Sequence, residues 1–414
     1  MKLSMKFTMK ISMKWRMKMI ELLSIPLTIL GLALLPQSKM SDKNKIKQIF
    51  INRRVGIKNG DNIKYPKLIR KIDNAAYTTY LYSLPLGIPS EAFESILPAL
   101  KDGLNKEVDY EFDGLLKIHV YHSELPKSWK YDKSLIRENT WEVPIGKNHT
   151  GILYHNFEHY CHMLVGGVTR FGKTVLMKVI LNSLIKNNPD DVEIYILDLK
   201  AGLEFHKYKK YKQIKEVACD VYESAEVLMK LTDELKERET VFREKGYTNI
   251  IDTPIKKRTF IFVDEGAELS PQIVKDRNAK KYAEFCQGAL SEIARIGGGI
   301  GYRLVYATQY PTKEAVPMQV KMNIVARISF ICASQVASRV LLDDIGAEDL
   351  PSIPGRAIYL VEKKRTVQVP YIDDKMIFKM MGDNDDTSAK SDRKIINDDR
   401  HIGSSKDKTL TKNT

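Results

Sequence analysis

A glycine-rich segment between two apolar runs constrains the fold of this chain more than any other feature. Residues 161–165 (CHMLV) predict a short buried strand, and residues 167–174 then match the pattern G-x-x-x-x-G-K-[ST] in full. Apolar residues recur at helical spacing from Val175 to Leu184, which predicts a helix. In such a strand–loop–helix, backbone N–H groups can surround phosphate oxygens, and the helix N-terminus adds partial positive charge. The segment therefore predicts a nucleotide site; the simpler alternative is a glycine turn that carries Lys-Thr by accident.

Every residue of this phosphate loop is a candidate contact for ATP. We expect Lys173 to neutralise the β- and γ-phosphates and the Thr174 hydroxyl to bind Mg²⁺. The expected nucleotide contacts are Gly167, Val168, Thr169, Arg170, Phe171, Gly172, Lys173 and Thr174.

A second predicted strand ends in two acids. Residues 259–263 (TFIFV) have the composition of a buried strand, and Asp264 and Glu265 follow it directly. The carboxyl ends of parallel strands meet at one edge of a sheet, where nucleotides bind. We expect Asp264 to hold Mg²⁺ and Glu265 to orient and polarise the attacking water, which favours hydrolysis over nucleotide binding alone. The alternative is a cap for the segment after Gly266.

Two further predicted strands have polar residues at their ends. Residues 192–197 are followed by Asp198, and residues 303–307 are followed by Thr308 and Gln309. We expect Gln309 to act in catalysis by bridging the γ-phosphate and the attacking water. Asp198 is a candidate contact for the nucleotide. The alternative for each is a turn residue.

The pattern along the chain divides it into four parts. Apolar strands alternate with long helices through the second half, which is typical of an α/β domain with a mainly parallel sheet. The region before it is mixed, with strands predicted over residues 77–84 and 115–121 and a helix over residues 90–104. The predicted parts are an arm (1–40), a small α+β domain (41–140), an α/β domain (141–378) and a polar, disordered tail (379–414).

The net charge of +14 is concentrated near the N-terminus. Residues 1–60 hold thirteen lysines and arginines and only two acids, so the arm would attract nucleic acid or an anionic membrane more than the body would. Residues 22–35 are mostly apolar, but they are short for a spanning helix, which needs about 20 residues. One interpretation is a helix that contacts the inner membrane surface. The other is that residues 1–39 are an annotation extension and Met40 is the true start.

The four cysteines lie far apart, with no CxxC pair. They indicate reduced thiols in a cytoplasmic protein, and neither a disulfide framework nor a zinc site. We therefore expect the protein in the cytoplasm, at the inner face of the cell membrane if the arm binds lipid.

At this point the residues resemble a known family, the FtsK/SpoIIIE-type DNA translocases. The resemblance covers roughly residues 143–369, and several separate blocks occur in the family's order. These blocks are Ile145-Gly146-Lys147, His162-Met163-Leu164-Val165 with the phosphate loop, Leu197-Asp198-Leu199-Lys200, Gly246-Tyr247-Thr248-Asn249-Ile250, Val263-Asp264-Glu265-Gly266, Ala307-Thr308-Gln309-Tyr310-Pro311 and Pro354-Gly355-Arg356-Ala357.

The resemblance implies a RecA-like P-loop motor that assembles into a homo-oligomeric ring, usually a hexamer. Double-stranded DNA would pass through the ring as ATP is hydrolysed. The resemblance also places the ATP sites between subunits. An arginine from the neighbouring subunit would then stabilise the charge on the transferred phosphoryl group. Arg295 is the first candidate for this catalytic role and Arg339 is the second; a surface salt bridge or a DNA contact is the alternative for each.

The chain also departs from the family. Arg170 and Phe171 replace the small residues usual inside the family's phosphate loop, and Gly298 occupies a position that is often basic. Only about 37 polar residues follow the motor region, without the winged-helix module or the four membrane spans of chromosome-segregating members. The chain is therefore similar to the compact members carried by conjugative elements and plasmids. In those systems the motor acts as a coupling protein that delivers DNA to a membrane channel, and its partners would be a relaxase and the channel proteins.

Three other functions stay open at this stage. One is a protein-secretion ATPase of the same superfamily, although those usually carry several motor domains in tandem. Another is a motor that segregates chromosomes or plasmids. The third is a DNA-binding scaffold with a vestigial site, which the intact phosphate loop and the paired acids argue against.

Overall fold

The computed structural model describes residues 40–60, 62–312 and 314–382. They form two compact units, which divide between Glu124 and Leu125. Residues 125–140, which the sequence analysis assigned to the small domain, lie in the second unit. The predictions for residues 1–39 and for the tail after residue 382 fall outside the described residues. No helix in the described ranges is long and apolar enough to cross a bilayer.

The first unit packs helices on an antiparallel sheet. Its core is built from one face of the sheet and from both helices, with Phe50 in edge-on contact with the rings of Tyr82 and Phe93. The elements are α1 (Asp42–Asn52), β1 (Ile57–Asn59), β2 (Asn62–Lys64), β3 (Lys67–Asp73), β4 (Tyr77–Ser83), α2 (Leu97–Leu104), β5 (Val108–Asp113) and β6 (Leu115–Tyr121). The sheet order is β3-β4-β6-β5, and β1 and β2 form a separate hairpin.

The helix predicted over residues 90–104 is shorter in the structure. A 3₁₀ turn covers Ser90–Phe93, and α2 begins only at Leu97. Pro98 explains the break, because a proline has no N–H to donate and is tolerated only in the first turn of a helix. The strands predicted over residues 77–84 and 115–121 are present as β4 and β6.

The second unit alternates strands and helices, as predicted for an α/β domain. A single large sheet runs through its centre, in the order β11-β10-β12-β13-β9-β14-β15-β16-β7-β8. Its elements are β7 (Glu142–Asn148), β8 (Gly151–Asn156), β9 (Met163–Gly166), α3 (Lys173–Asn187), β10 (Val192–Asp198), β11 (Ile214–Ala218), α4 (Val221–Lys245), β12 (Arg258–Asp264), α5 (Arg277–Ile296), β13 (Tyr302–Thr308), α6 (Met318–Asn323), β14 (Ala326–Phe330), α7 (Gln335–Leu342), β15 (Arg356–Leu360), β16 (Lys364–Gln368) and α8 (Asp374–Met381).

Six neighbouring strands of this sheet, from β11 to β14, are parallel, and the remaining four are antiparallel. One core lies against the face covered by α3 and α8, and a second core lies against the face covered by α4, α5 and α7. Every residue of β12 and β13 is buried. Burial on both faces explains why the centres of these strands are apolar without alternation (residues 260–263 and 304–307). The predicted fold class, an α/β P-loop core with a mainly parallel sheet, is confirmed.

The strand register gathers the predicted functional positions at one edge of the sheet. Asp198 is paired with Asp264 in the ladder between β10 and β12, and Thr308 is paired with Gly166 in the ladder between β13 and β9. Because these strands are parallel, all four carboxyl ends meet at this edge. The phosphate loop starts from the same place.

Candidate functional site

The phosphate loop leads from β9 into α3 and depends on two glycines. Gly167 and Gly172 have φ angles of 130° and 120°, a region that favours glycine. A Cβ on Gly167 would lie 2.7 Å from the Cβ of Phe330, so the loop passes β14 too closely for a side chain. Backbone N–H groups and the N-terminus of α3 are thereby brought to one point, as phosphate binding requires.

Lys173, the first residue of α3, points at Asp264, the last residue of β12, and at Glu265, which follows it. Its Nζ lies 2.9 Å from Asp264 Oδ1 and 3.3 Å from Glu265 Oε2. The side chains of Lys173 and Asp264 are 4% and 0% exposed. Burial lowers the pKa of Lys173, although the neighbouring carboxylates act in the opposite direction. The cation expected to meet phosphate and the carboxylate expected to meet Mg²⁺ therefore belong to one buried charge cluster.

The Glu265 carboxylate is fixed in orientation by its neighbours. It accepts hydrogen bonds from Thr308 Oγ1 at 3.0 Å and from the backbone N–H of Gln309 at 2.9 Å. Its φ of 68° is rare for a residue other than glycine and costs about 1 kcal/mol. The side chain makes no hydrogen bond to the 3₁₀ turn that follows it, so helix capping does not explain this acid. Backbone strain at a residue whose side chain is held by such hydrogen bonds is typical of a functional position.

Asp264 fits a metal ligand. Both carboxylate oxygens are buried, and the ammonium groups of Lys173 and Lys200, at 2.9 Å and 3.7 Å, offset the charge. A buried carboxylate requires a cationic partner, and a bound metal ion could take over that role from the lysines. Mg²⁺ bound to a nucleotide takes most of its ligands from phosphate and water. Two protein ligands are therefore sufficient for such an ion, namely Asp264 and the hydroxyl of Thr174, the second residue of α3.

Asp198 holds a loop beside this cluster. Its Oδ2 accepts hydrogen bonds from the backbone N–H groups of Glu204 at 3.0 Å and Phe205 at 2.8 Å. Burial raises the pKa of Asp198, although those two N–H groups act in the opposite direction. The structure thus shows how Asp198 shapes the loop, while its contact with nucleotide stays a prediction.

Lys200 is part of the charge cluster and was missed as a site residue by the sequence analysis. Its Nζ lies 3.4 Å from Glu265 Oε2 and 3.7 Å from Asp264 Oδ2. The next residue, Ala201, has a φ of 59°, so a strained turn presents the lysine. The only signal in the sequence was the position of Lys200 two residues after a strand-end aspartate, in a block already noted for the family resemblance.

A cavity of about 390 Å³ opens beside the phosphate loop, and Gln309 also lines it. Its far walls come from three segments. These wall residues are Lys127, Ser128, Pro354, Gly355, Gln368, Val369 and Tyr371. Pro354 and Gly355 belong to a block that carries the family resemblance, whereas the other two segments carry no recognised motif and were missed by sequence reasoning. Those two segments are joined by hydrogen bonds from Trp129 Nε1 to the Gln368 carbonyl at 2.7 Å and from the Tyr371 N–H to the Trp129 carbonyl at 2.8 Å.

The structure does not bring Arg295 or Arg339 to the phosphate loop of the same chain. Arg295 is exposed in the last turn of α5, at the edge where the parallel strands begin, and it lines a second cavity of about 270 Å³ with His162 and Gly298. Arg339 is exposed on α7. The resemblance implies that such an arginine would act from a neighbouring chain.

The parallel sheet, the phosphate loop and the two acids at the carboxyl end of β12 define a P-loop nucleotide-binding unit. The FtsK/SpoIIIE family model matches residues 127–259. DNA translocase FtsK of Streptococcus agalactiae serotype V is 29% identical over 231 residues, which cover 51% of this chain and 27% of that protein. The predicted resemblance to the FtsK/SpoIIIE family is confirmed, and the match spans about a quarter of the length of that relative.

Two solved structures extend the comparison. The monomer form of the pCW3 conjugation coupling protein TcpA with ATPγS is 25% identical, with a TM-score of 0.59, and the match covers 82% of this chain and 99% of that chain. ATPases 2 and 3 of EssC from Geobacillus thermodenitrificans are 16% identical, with a TM-score of 0.53, over 62% of this chain and 50% of that chain. The second likeness concerns the fold alone.

Proposed function

We propose that the second unit is a motor that hydrolyses ATP to move double-stranded DNA. The observation that carries the proposal is the Glu265 carboxylate, held by Thr308 and Gln309 beside the phosphate-loop lysine. A carboxylate so placed can orient a water for attack, which nucleotide binding alone would not need. The relatives named as DNA translocases support DNA as the substrate that is moved.

The chain's own groups suggest the order of events. The backbone of the loop and Lys173 bind the β- and γ-phosphates, and the base enters the cavity between the loop and Tyr371. Asp264 and Thr174 would hold Mg²⁺, which would neutralise charge on the phosphate oxygens. Glu265 then orients the attacking water, and the side chain of Gln309 bridges that water and the γ-phosphate.

A ring of identical subunits would complete this site. Arg295 is exposed at the sheet edge opposite the phosphate loop, so a neighbouring chain could present it to the γ-phosphate. An arginine in that position stabilises the charge that develops during phosphoryl transfer. We place Arg295 in this role ahead of Arg339.

The biological task that we propose is DNA delivery by a conjugative element or plasmid. The likeness to a conjugation coupling protein, which covers nearly all of that solved chain, supports this task over chromosome segregation. Partners would include a relaxase and membrane channel proteins, and contacts with DNA would be mainly to phosphates and so weaken with salt.

The test is phosphate release from ATP by the full chain, with and without linear duplex DNA. We expect duplex DNA to stimulate release and Lys173→Ala to abolish it, while Lys186→Ala, at the other end of α3, keeps it. Unchanged turnover in Lys173→Ala would refute the site. Stimulation by a secreted protein and not by DNA would instead support the secretion ATPases as the functional relatives.

A further inference from the structure

Arg170 occupies a backbone conformation in the phosphate loop that suits glycine. Its φ is 70°, a left-handed value at which a Cβ crowds the backbone carbonyl and which glycine adopts without this penalty. The other two left-handed positions of the loop, Gly167 and Gly172, are glycines. A large charged residue at Arg170 is therefore unfavourable for folding of the loop itself.

No ion pair or hydrogen bond between the Arg170 side chain and a described residue compensates for this conformation. Arg170 is exposed, and its side chain has no ion pair or hydrogen bond with any described residue. Its neighbour Phe171 differs, because that ring packs on the core beneath α3. A structural role would require contacts of the kind that Phe171 makes, so the side chain of Arg170 is not explained by the fold.

The charges of the site point to a ligand for Arg170. Lys173 and Lys200 are both paired with Asp264 and Glu265, so this cluster is neutral. Arg170 lies outside this cluster, but it lines the cavity beside the phosphate loop, as Lys173 does. It is therefore a cation at the opening of the cavity that phosphates would enter, and its charge is not offset by a described acid.

We propose that the guanidinium of Arg170 binds the phosphates of ATP within its own chain. The inference rests on the proposed nucleotide function and adds a phosphate ligand that a neighbouring subunit need not supply. A planar guanidinium can donate two parallel hydrogen bonds to phosphate oxygens, and such charge-assisted bonds are stronger than neutral ones. This ligand would distinguish the chain from relatives with small residues in the loop.

The experiment measures equilibrium binding of ATPγS, with adenosine as a ligand that lacks phosphates. We expect Arg170→Ala, which keeps the Cβ and loses the charge, to weaken ATPγS binding about tenfold or more and to leave adenosine binding unchanged. Arg170→Lys, which keeps the charge but cannot donate two parallel hydrogen bonds, should recover only part of the affinity. Arg170→Gly should weaken ATPγS binding like Arg170→Ala, while its melting temperature without nucleotide does not fall.

The outcomes separate this inference from the proposed function. ATPγS binding by Arg170→Ala within about twofold of the natural chain's would overturn the role of Arg170 and leave the nucleotide site intact. Equal loss of ATPγS and adenosine binding would also overturn it, because it would indicate a damaged loop. Failure of the natural chain to bind ATPγS at all would instead refute the nucleotide function.

Discussion

The ammonium of Lys173 lies 2.9 Å from Asp264 Oδ1, and both groups are buried. Lys173 is expected to meet phosphate and Asp264 to meet Mg²⁺, so binding of either ligand breaks the same ion pair. A buried charge that loses its partner is strongly unfavourable. The two ligands should therefore bind cooperatively, because each provides the replacement partner for one member of the pair.

This coupling can be tested by removing the metal. We expect chelation of Mg²⁺ to weaken ATPγS binding by the natural chain about tenfold or more, since Lys173 would leave Asp264 uncompensated. Asp264→Asn removes that buried charge, so its ATPγS affinity should depend much less on Mg²⁺. Titrations with fluorescent ATPγS, with and without chelator, measure both effects. Equal metal dependence in the two proteins would contradict the coupling.

Glu265 should separate binding from hydrolysis. Glu265→Gln keeps the size of the side chain and can still accept a hydrogen bond from Thr308, but it loses the negative charge that polarises water. We expect ATP affinity within about threefold of the natural value and turnover lower by about a hundredfold or more. Glu268→Gln, on the adjoining turn and exposed, is the matched control. Normal turnover in Glu265→Gln would remove Glu265 from the proposed role.

Arg295 offers a test of sites shared between chains. If it acts in a neighbour's site, Arg295→Ala and Glu265→Gln are each inactive alone but complement each other when mixed. In an equal random mixture, about a quarter of the sites combine an intact Glu265 with an intact Arg295 from the next chain. Phosphate release should therefore recover to about a quarter of the natural rate, with Arg277→Ala on the same helix remaining active alone. A mixture that stays inactive would exclude Arg295 as the shared residue.

Two buried histidines should make the second unit sensitive to acid. Burial lowers the pKa of His155 and His162 to about 3, and in the unfolded chain each titrates near 6.5. Between these values the unfolded chain binds protons that the folded chain does not. Their effect is therefore absent above pH 6.5, and stability falls progressively as the pH decreases towards about 3, by about 2 kcal/mol per histidine from pH 7 to pH 5.

The hydrogen bonds of His155 allow this effect to be isolated. Its Nε2 donates to the Tyr160 carbonyl at 3.0 Å, and its Nδ1 accepts from the Tyr359 hydroxyl at 2.9 Å. His155→Gln keeps polar contacts but cannot titrate. Urea unfolding at pH 7 and at pH 5 gives the free energy of unfolding at each pH. Between pH 7 and pH 5 this free energy should fall by about 2 kcal/mol less for the variant than for the natural chain. Identical pH dependence in the two proteins would show that His155 does not control it.

The sequence predicted those parts of the site whose signals are local. The phosphate loop and the acids at the carboxyl end of β12 each lie at the end of a recognisable strand, and the parallel register brings them to one edge of the sheet. Helix α1 was not predicted, because its region is basic and polar with little periodicity, and only Ile46 and Phe50 are buried.

Lys200 and the walls of the cavity could not be predicted, for a different reason. Lys200, two residues after β10, reaches Glu265, directly after the neighbouring strand β12, and Trp129 bonds to Gln368, which lies 239 residues further along the chain. Neither pairing leaves a pattern in a single sequence, because spacing along the chain carries no signal for contacts so far apart. Such contacts depend on tertiary packing, which local propensity does not encode.

The walls of the cavity have a consequence for how the chain opens. Lys127 and Ser128 stand near the start of the second unit, and Val369 and Tyr371 stand near its described end, so a ligand that fills the cavity touches both ends at once. Binding free energy then opposes fraying at either end, because loss of one segment also removes part of the ligand's contact surface. Each cycle of nucleotide binding and release would thus alternately stabilise and destabilise the first and last segments of the unit against local unfolding, although these segments are far apart in the chain.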